Sequence, residues 1–349
     1  MKVLFFVPER YSLFHSFKEI FKVWEAEVYP IDFNATLKKW EIQFNVQVFR
    51  LPNKWRVRWE TYFMDKINRY YRQVYDRRLP DLVFIYNNEM LLPETLEYFK
   101  RKSKIAFFLG DHPLYTSLNR YYLSLLNYAD AIFAPDTFWV SQLKKMGLKN
   151  VHFFQAGIPS SHYYEKQLSE VSYQKLKSEI LYVGMCYTDN WGYKKAKFLN
   201  YFSDHDLQIH GNRHWERWFS FFPNLEPHFR LKSQYYNTDY LNDLLNATKI
   251  VPVDGNPGLI NGVHIRLYEA LGSGALPLLE WQNDLDEIFP AHAELPAPKS
   301  YDEINEITRF YLQNEADRKE KVAWMKKIIT EKYSPKNNAH QMFKALGYE

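Results

Sequence analysis

The chain has 349 residues, of which 46% are hydrophobic and 18% aromatic, and its formal net charge is +4. This length suits two domains of roughly 150–180 residues, and the apolar content excludes a disordered or low-complexity protein. The single cysteine, Cys186, excludes an internal disulfide and a multi-cysteine metal site, and the mild charge makes nucleic-acid binding an unlikely function.

Short apolar runs alternate with amphipathic stretches along most of the chain, which is the pattern of a parallel sheet covered by helices. In the first half the predicted strands are Lys2–Val7, Glu27–Ile31, Leu82–Tyr86, Lys104–Leu109, Ala131–Ala134 and Val151–Phe154. The predicted helices between them include Ser12–Trp24, Pro93–Lys100 and Thr137–Met146. Gly147 is expected to end the last of these as a left-handed cap.

A polar segment without clear periodicity, Pro159–Ser178, is interpreted as the connection between two domains. The second half then repeats the alternation, with predicted strands Ile180–Gly184, Leu207–His210, Lys249–Val253 and Ala275–Leu279. Helices are predicted near Tyr193–Phe202, Tyr240–Asn246 and His264–Gly272, followed by a polar helical region from Tyr301 to about Tyr333. The predicted class is α/β, with two Rossmann-like domains, residues 1–160 and 161–333, facing each other across a cleft.

The most charged stretch is Lys54–Arg78, with eight cations, three anions and seven aromatic residues. Its apolar residues recur at helical spacing and are predicted to be core; they are Trp59, Phe63, Ile67, Tyr70 and Val74. The cations then form an exposed face. This face is either simply solvated or contacts an anionic acceptor or lipid headgroups in a peripheral membrane contact.

The segment Asn261–Leu279 combines a glycine loop with a short amphipathic helix. Gly262 and Val263 precede the helix, whose unpaired N–H groups and positive end suit a diphosphate. Arg266 can add a charge-assisted contact, and Glu269, on the same helix face, can accept hydrogen bonds from ribose hydroxyls. The alternative is a glycine-capped helix in which the two side chains form a surface ion pair.

Three further turns follow predicted strands. Asp111 and His112 can orient an acceptor hydroxyl or assist its deprotonation, or they form a turn that caps the next helix. The turn that begins at Gly184 can approach the phosphates or the acceptor, or it caps the next helix. Arg213 can contact a phosphate and Trp215 can stack on a base, or both belong to a rigid turn. Asp254, in the loop before the glycine-containing segment, can contact the donor or stabilise the turn, and we interpret it as a turn residue.

Five segments resemble, in order and spacing, the CgeB-like branch of glycosyltransferases, which is related to the retaining GT-B family with the E-x7-E motif. They are Phe107–Pro113, Ala129–Pro159, Glu179–Trp191, Leu207–Trp215 and Asn261–Leu279. Glu269 matches the second glutamate of the motif, the residue that binds the ribose. Asn261 stands in place of the first and can hydrogen-bond a sugar hydroxyl.

The single cysteine and the lack of a signal-peptide pattern predict a cytoplasmic protein, with a peripheral membrane contact through Lys54–Arg78 left open. The histidines are scattered along the chain, which predicts that no metal is needed.

The resemblance implies a glycosyltransferase that uses a nucleotide-diphosphate sugar and no other cofactor. The reaction is expected to retain configuration, and the acceptor is expected to be a glycan, ahead of a lipid-linked or protein acceptor. The implied donor-binding residues are Gly184, Arg213, Asn261, Gly262, Val263, Arg266 and Glu269, and the implied catalytic residues are Asp111 and His112. A C-terminal helix, residues 334–349, is expected to pack back on the first domain. A catalytically inactive nucleotide-binding or scaffold protein with the same fold is the alternative function.

Overall fold

The computed structural model of the chain describes residues 1–9, 11–87, 90–114, 121–232, 237–290 and 294–348, and for Phe33 the main chain alone. The described residues form eleven strands, which are β1 (Lys2–Phe6), β2 (Glu27–Pro30), β3 (Leu82–Tyr86), β4 (Lys104–Phe108), β5 (Ala131–Ala134), β6 (Val151–Phe153), β7 (Ser178–Val183), β8 (Leu207–Gly211), β9 (Phe229–Leu231), β10 (Thr248–Val253) and β11 (Leu276–Leu279). Each predicted strand is present, with ends displaced by at most two residues, and β9 is the strand that the sequence reading missed.

The α-helices of the described residues are α1 (Ser12–Val23), α2 (Lys39–Gln47), α3 (Asn53–Arg78), α4 (Pro93–Lys100), α5 (Tyr122–Leu125), α6 (Thr137–Lys145), α7 (Glu170–Leu176), α8 (Asn190–Asn200), α9 (Thr238–Asn246), α10 (Arg266–Gly272), α11 (Leu285–Ile288), α12 (Ile304–Gln313), α13 (Glu315–Lys332) and α14 (Pro335–Leu346). Gly147, at φ +87°, is the predicted left-handed residue after α6. None of the described helices combines the length and the apolar composition that crossing a bilayer requires.

The strands form two parallel sheets, with orders β2-β1-β3-β4-β5-β6 and β11-β10-β7-β8-β9. Runs such as LVFIY in β3 and KIAFF in β4 are almost entirely apolar because helices cover both faces of a parallel sheet. The register places Phe5 of β1 opposite Phe84 of β3. The predicted α/β class with parallel sheets is therefore confirmed.

The chain divides into two compact units, the first comprising Met1–Ala156 with Pro335–Glu349 and the second comprising Gly157–Ser334. The segment Pro159–Ser178, predicted to be a connection, lies inside the second unit and contains α7, so that interpretation was wrong. Polar residues on the exposed face of a short helix hide its periodicity.

The core of the first unit is built around the rings of β1, β3 and α1. Phe17 lies 4.6 Å from Phe84, and Phe21 lies 5.4 Å from Phe5, between ring centroids. The C-terminal helix α14 packs against α1 and contributes Ala339, Met342 and Leu346 to this core. The first unit is thus completed by the last part of the chain.

The buried face of α3 differs from the predicted one. Phe63 and Ile67 are buried as expected, but the face continues through Tyr71 and Tyr75, whereas Tyr70 and Val74 are half-buried. Because aromatic residues occupy adjacent positions of this helix, the spacing of its apolar residues is compatible with two different buried faces.

The carboxylate of Glu41 ties α2 to α3. It accepts hydrogen bonds from Lys66 Nζ at 2.7 Å and from the Tyr62 hydroxyl at 2.9 Å, and also from the backbone N–H of Lys38. The hydrogen bond from Lys66, with that from the Lys38 backbone, lowers the pKa of Glu41 to about 2. Charge on this carboxylate therefore favours the folded state.

Replacing Glu41 with glutamine is expected to remove part of the acid sensitivity of folding. Because the folded-state pKa lies below the ordinary value of 4.5, the carboxylate stabilises the fold above that pH, and this stabilisation is lost as pH falls towards 2. Urea midpoints measured between pH 5 and pH 2.5 should fall less steeply for Glu41→Gln than for the parent protein. Parallel slopes would contradict this role.

Candidate functional site

Three turns of the second unit lie at one edge of its sheet. Gly184 follows β7, Asp254 follows β10 and Glu280 follows β11, and these strands are neighbours in a parallel sheet. Ligands of open parallel sheets bind beyond the carboxyl ends of the strands. This edge is therefore the candidate ligand site of the second unit.

A buried carboxylate, Asp254, holds this edge together. Its Oδ1 accepts hydrogen bonds from Arg266 Nη1 at 3.0 Å and from the Tyr182 hydroxyl at 2.8 Å, and its Oδ2 lies 3.2 Å from Lys195 Nζ. Lys195 Nζ also donates to the Tyr182 hydroxyl at 2.8 Å. The interpretation of Asp254 as a turn residue was wrong, because its partners lie on β7, α8 and α10 rather than within its own loop.

The electrostatics of this cluster fix its charges at neutral pH. Burial alone raises the pKa of Asp254, but the charges of Lys195 and Arg266 outweigh it and hold that pKa well below its usual range. Burial raises the pKa of the Tyr182 hydroxyl to about 12, so this group stays protonated and donates. Burial and the charge of Arg266 lower the pKa of His264 to about 3, which makes its ring neutral.

Arg266, the predicted diphosphate ligand, is occupied within its own unit. Besides Asp254, its Nη2 donates to the carbonyl of Val183 at 3.0 Å, and its guanidinium lies 4.5 Å from the ring centroid of Tyr182. The side chain is only 8% exposed. In this arrangement Arg266 stabilises the end of β7 through its hydrogen bond to Val183. Its direct contact with a diphosphate stays a prediction.

Gly184 permits the close approach of β7 to Arg266. A Cβ atom at this position would lie 2.9 Å from Arg266 Nη2 and 2.9 Å from the Tyr182 ring. The Gly184 N–H donates to the carbonyl of His210 at 3.0 Å, and its carbonyl accepts from the Trp215 indole at 3.0 Å. A side chain here would displace the buried cluster.

For the turn after β8, the sequence left open a contact with a ligand or a purely structural role. Trp215 is fully buried beneath the turn, so its suggested role in stacking on a base was wrong. Arg213, at the start of a 3₁₀ helix, is exposed. Its contact with a ligand stays a prediction.

The loop before α10 and its first turn carry the other predicted donor residues. Asn261 accepts hydrogen bonds from Asn283 Nδ2 at 3.2 Å and, through its carbonyl, from the N–H of Asp284 at 3.0 Å. Gly262 and Val263 are buried, and Glu269 is half-buried. The α-helix begins at Arg266, two residues later than predicted, so Arg266 and Glu269 share its first turn.

A second carboxylate that the sequence reading missed lies at the same edge. Glu280 accepts hydrogen bonds at 2.7 Å each from Lys194 Nζ, the N–H of Gly255 and the Tyr301 hydroxyl. Its position directly after a buried strand was the signal that could have identified it. Among the described residues, no group of three or more His, Cys, Asp or Glu side chains could hold a metal ion.

In the first unit, Asp111 lies just beyond β4 and beside Asn87, which follows β3. Asn87 Nδ2 donates to Asp111 Oδ2 at 2.6 Å, and Asn87 Oδ1 accepts from the N–H of Gly110 at 2.9 Å. Asn87 adopts φ +35°, a conformation that few non-glycine residues take and that is frequent at functional sites. The sequence reading gave no role to Asn87.

The Asp111 carboxyl reaches solvent, yet the atoms packed around it raise its pKa, and the hydrogen bond from Asn87 opposes that rise. His112 is half-buried, its Nδ1 accepts from the N–H of Leu114 at 3.2 Å, and its ring lies 5.5 Å from that of Trp139. Burial lowers the pKa of His112, which favours the neutral ring at pH 7. The catalytic roles of both residues stay predictions.

Residues 194–344 match the sequence model of a family described as glycosyl transferase-like. This match contains Lys195, Asp254, Arg266 and Glu280, whereas Tyr182 of the Asp254 cluster lies before it, and it covers less than half of the chain. No curated protein matches the chain significantly.

Several solved structures share the fold along nearly the whole chain. An Anabaena protein, HepE, in complex with UDP-glucose superposes with a TM-score of 0.64 at 12% identity over 100% of both chains. The E. coli trehalose-6-phosphate protein bound with UDP-2-fluoro glucose gives 0.64 at 12% over 99% of both chains. A candidate UDP-N-acetylglucosamine 2-epimerase from Listeria monocytogenes gives 0.57 at 13% identity, over 99% of this chain and 95% of its own. The likeness establishes a GT-B fold.

Proposed function

We propose that this protein is a glycosyltransferase that takes a sugar from a UDP-sugar donor bound by the second unit. The observation that carries the proposal is the coincidence of the glycosyl transferase-like match with the sheet edge that holds Asp254, Arg266 and Glu280. Two fold neighbours bound to UDP-glucose or its fluoro analogue support uridine as the base.

In the proposed donor site the loop Gly258–Val263 and Arg266 contact the diphosphate, and Glu269 accepts hydrogen bonds from the ribose hydroxyls. Asn261 contacts the sugar. The Asp254 cluster fixes the positions of β7 and α10, so that the loop is held ready without rearrangement on binding. Hydrogen-bond donors that are held in position before binding stabilise the charge that develops on a departing diphosphate.

In the proposed acceptor site of the first unit, Asp111 orients the acceptor hydroxyl and assists its deprotonation. The proposal includes retention of anomeric configuration, independence of metal ions, a cytoplasmic location and a glycan as the first acceptor class to test, ahead of lipid-linked and protein acceptors. A catalytically inactive nucleotide-binding or scaffold protein is the second candidate, and Asn261 in place of an acidic residue favours it.

A thermal-shift panel of UDP, GDP, dTDP, ADP, CMP and their sugar conjugates tests the donor site, first without and then with divalent metal. A ligand at about 100 times its dissociation constant should stabilise the protein by about 2.7 kcal/mol. We expect UDP and its conjugates to raise the melting temperature without metal. Nucleotide binding without sugar transfer or release would favour the inactive protein. No shift with any nucleotide would contradict the proposed UDP-sugar site and favour a scaffold that has the fold but no donor.

Glu269→Ala is expected to raise the dissociation constant for UDP-sugar roughly tenfold or more, because hydrogen bonds to a charged group contribute roughly 1.5–3 kcal/mol each. Isothermal titration of the donor measures this change. Glu306→Ala, which removes an exposed glutamate from α12, is the matched control and should bind as the parent does. An unchanged constant for Glu269→Ala at an unchanged melting temperature would contradict the ribose contact.

A further inference from the structure

Large apolar side chains are concentrated on the surface formed by α2, the turn after it and the first part of α3. Of the 24 large hydrophobic side chains that are exposed in the described part of the chain, eight fall within residues 40–62. They are Trp40, Ile42, Phe44, Val46, Phe49, Trp55, Val57 and Tyr62. We refer to them as the 40–62 surface. Clusters of this kind usually mark a site of interaction.

The aromatic part of this surface is held in place by Trp59. The Trp59 ring lies 4.6 Å from that of Phe44, 5.6 Å from Tyr62 and 5.8 Å from Trp40, between centroids. Its indole N–H donates to Asn45 Oδ1 at 3.1 Å, which ties α3 to α2. The contacts with Trp59 therefore fix the positions of the exposed rings of Trp40, Phe44 and Tyr62.

A second row of apolar side chains projects from another side of α2. Ile42, Val46 and Phe49 follow one another at spacings of four and three residues, which places them along one side of the helix and the turn that continues it. Val46 is 63% exposed and Phe49 is 66% exposed. These side chains add apolar area that the protein itself leaves uncovered.

Positive charge surrounds this surface. Residues 38–62 hold six Lys and Arg and two Glu, a net charge of +4 that equals the net charge of the whole chain. Of the two glutamates, Glu41 is buried against Lys66, and Glu60 pairs with Arg56 at 3.6 Å. The exposed cations are Lys38, Lys39, Arg50, Lys54 and Arg58.

Two of these cations lie directly beside exposed rings. The Arg50 guanidinium is 5.4 Å from the Phe49 ring centroid, and that of Arg58 is 5.3 Å from the Trp55 ring. Further along Lys54–Arg78, Arg69, Arg77 and Arg78 are also exposed, but no large hydrophobic side chain between residues 63 and 78 is exposed. Exposed cations and exposed large apolar side chains therefore occur together within residues 38–62.

We propose that the 40–62 surface docks on a lipid bilayer that contains anionic lipids. Tryptophan, phenylalanine and aliphatic side chains enter the headgroup region while lysine and arginine meet anionic headgroups, a combination typical of interfacial helices. A two-fold contact between copies of the chain would instead bring the same cations face to face. This proposal is independent of glycosyl transfer.

Vesicle flotation of the full chain tests the proposal. Vesicles of phosphatidylcholine alone are compared with vesicles containing about 30% phosphatidylglycerol, at low and at high salt. We expect the protein to float with the anionic vesicles and its partition coefficient to fall about tenfold when salt rises from 50 to 300 mM, because surface charges are screened. Absence of binding, or equal binding to both vesicles, would overturn the proposal.

Two variants separate the apolar and the electrostatic contributions. Phe49→Ser with Trp55→Ser, and Lys54→Glu with Arg58→Glu, should each lower partitioning onto anionic vesicles about tenfold or more. Val171→Ser with Phe310→Ser, which alters exposed apolar residues of the second unit, is the matched control and should partition as the parent does. Unfolding midpoints identify any variant that fails to fold.

Two other outcomes would also overturn the proposal. A concentration-dependent dimer that Phe49→Ser with Trp55→Ser abolishes, without vesicle binding by the parent, would assign the surface to self-association. Retention of the parent on immobilised polyglutamate but not on vesicles would assign it to an acidic polypeptide. Light scattering after size-exclusion chromatography and a polyglutamate column measure these two outcomes.

Discussion

Asp254→Ala is expected to lower the free energy of unfolding by about 3–5 kcal/mol, the usual cost of removing one partner from a buried ion pair. Asp254 lies between two buried cations, with Lys195 at 3.2 Å and Arg266 at 3.0 Å. Without the carboxylate these two charges would repel each other where water cannot screen them. Urea unfolding followed by circular dichroism measures the loss.

Two comparisons isolate the buried charge as the cause. Adding Lys195→Met to Asp254→Ala should recover part of the lost stability, because it removes one of the two uncompensated cations. Glu179→Ala removes a carboxylate from a half-exposed pair with Lys249 and should cost less than about 1 kcal/mol. If Asp254→Ala cost no more than Glu179→Ala, the cluster would not stabilise the sheet edge.

Asp111→Ala is expected to reduce turnover of a UDP-sugar roughly 100-fold or more, the range in which general bases contribute. Donor affinity should change little, because the predicted donor contacts belong to the second unit. Initial rates and donor titrations on the same variant measure the two quantities. Asp76→Ala, which removes an exposed carboxylate from the same unit, should leave both unchanged. Equal losses of turnover and affinity would point to a binding role.

The pH profile gives an independent test of the same residue. A base acts when it is deprotonated, so activity should rise as pH passes upward through the raised pKa of Asp111. Asn87→Asp keeps an acceptor for Gly110 and tolerates the positive φ, but it places a second carboxylate beside Asp111. Like charges raise a carboxyl pKa, so the acidic limb of the pH–activity profile should move to higher pH by about one unit or more. An unmoved limb would contradict the assignment.

The strands were predictable because helices cover both faces of each sheet and leave continuous apolar runs, as in LVFIY and KIAFF. The Asp254 cluster was not predictable from the sequence. Its partners Tyr182 and Lys195 are 72 and 59 residues away, and a single aspartate in PVDGNPGL has the local composition of a turn. Asn87 was missed for the same reason, since the amide meets Asp111 only through the pairing of β3 with β4. Sequence spacing reports neighbours along one element, whereas these contacts depend on strand order.

The place of α14 in the core of the first unit bears on how the protein is made. Domains generally fold as units during synthesis, the N-terminal one first. Here the apolar face of α1 meets Met342 and Leu346 only after residues 157–334 have left the ribosome. Until then the hydrophobic face that α14 covers stays open to water and to other chains. The nascent first unit is therefore a natural substrate for chaperones, and its assembly depends on completion of the unit that follows it.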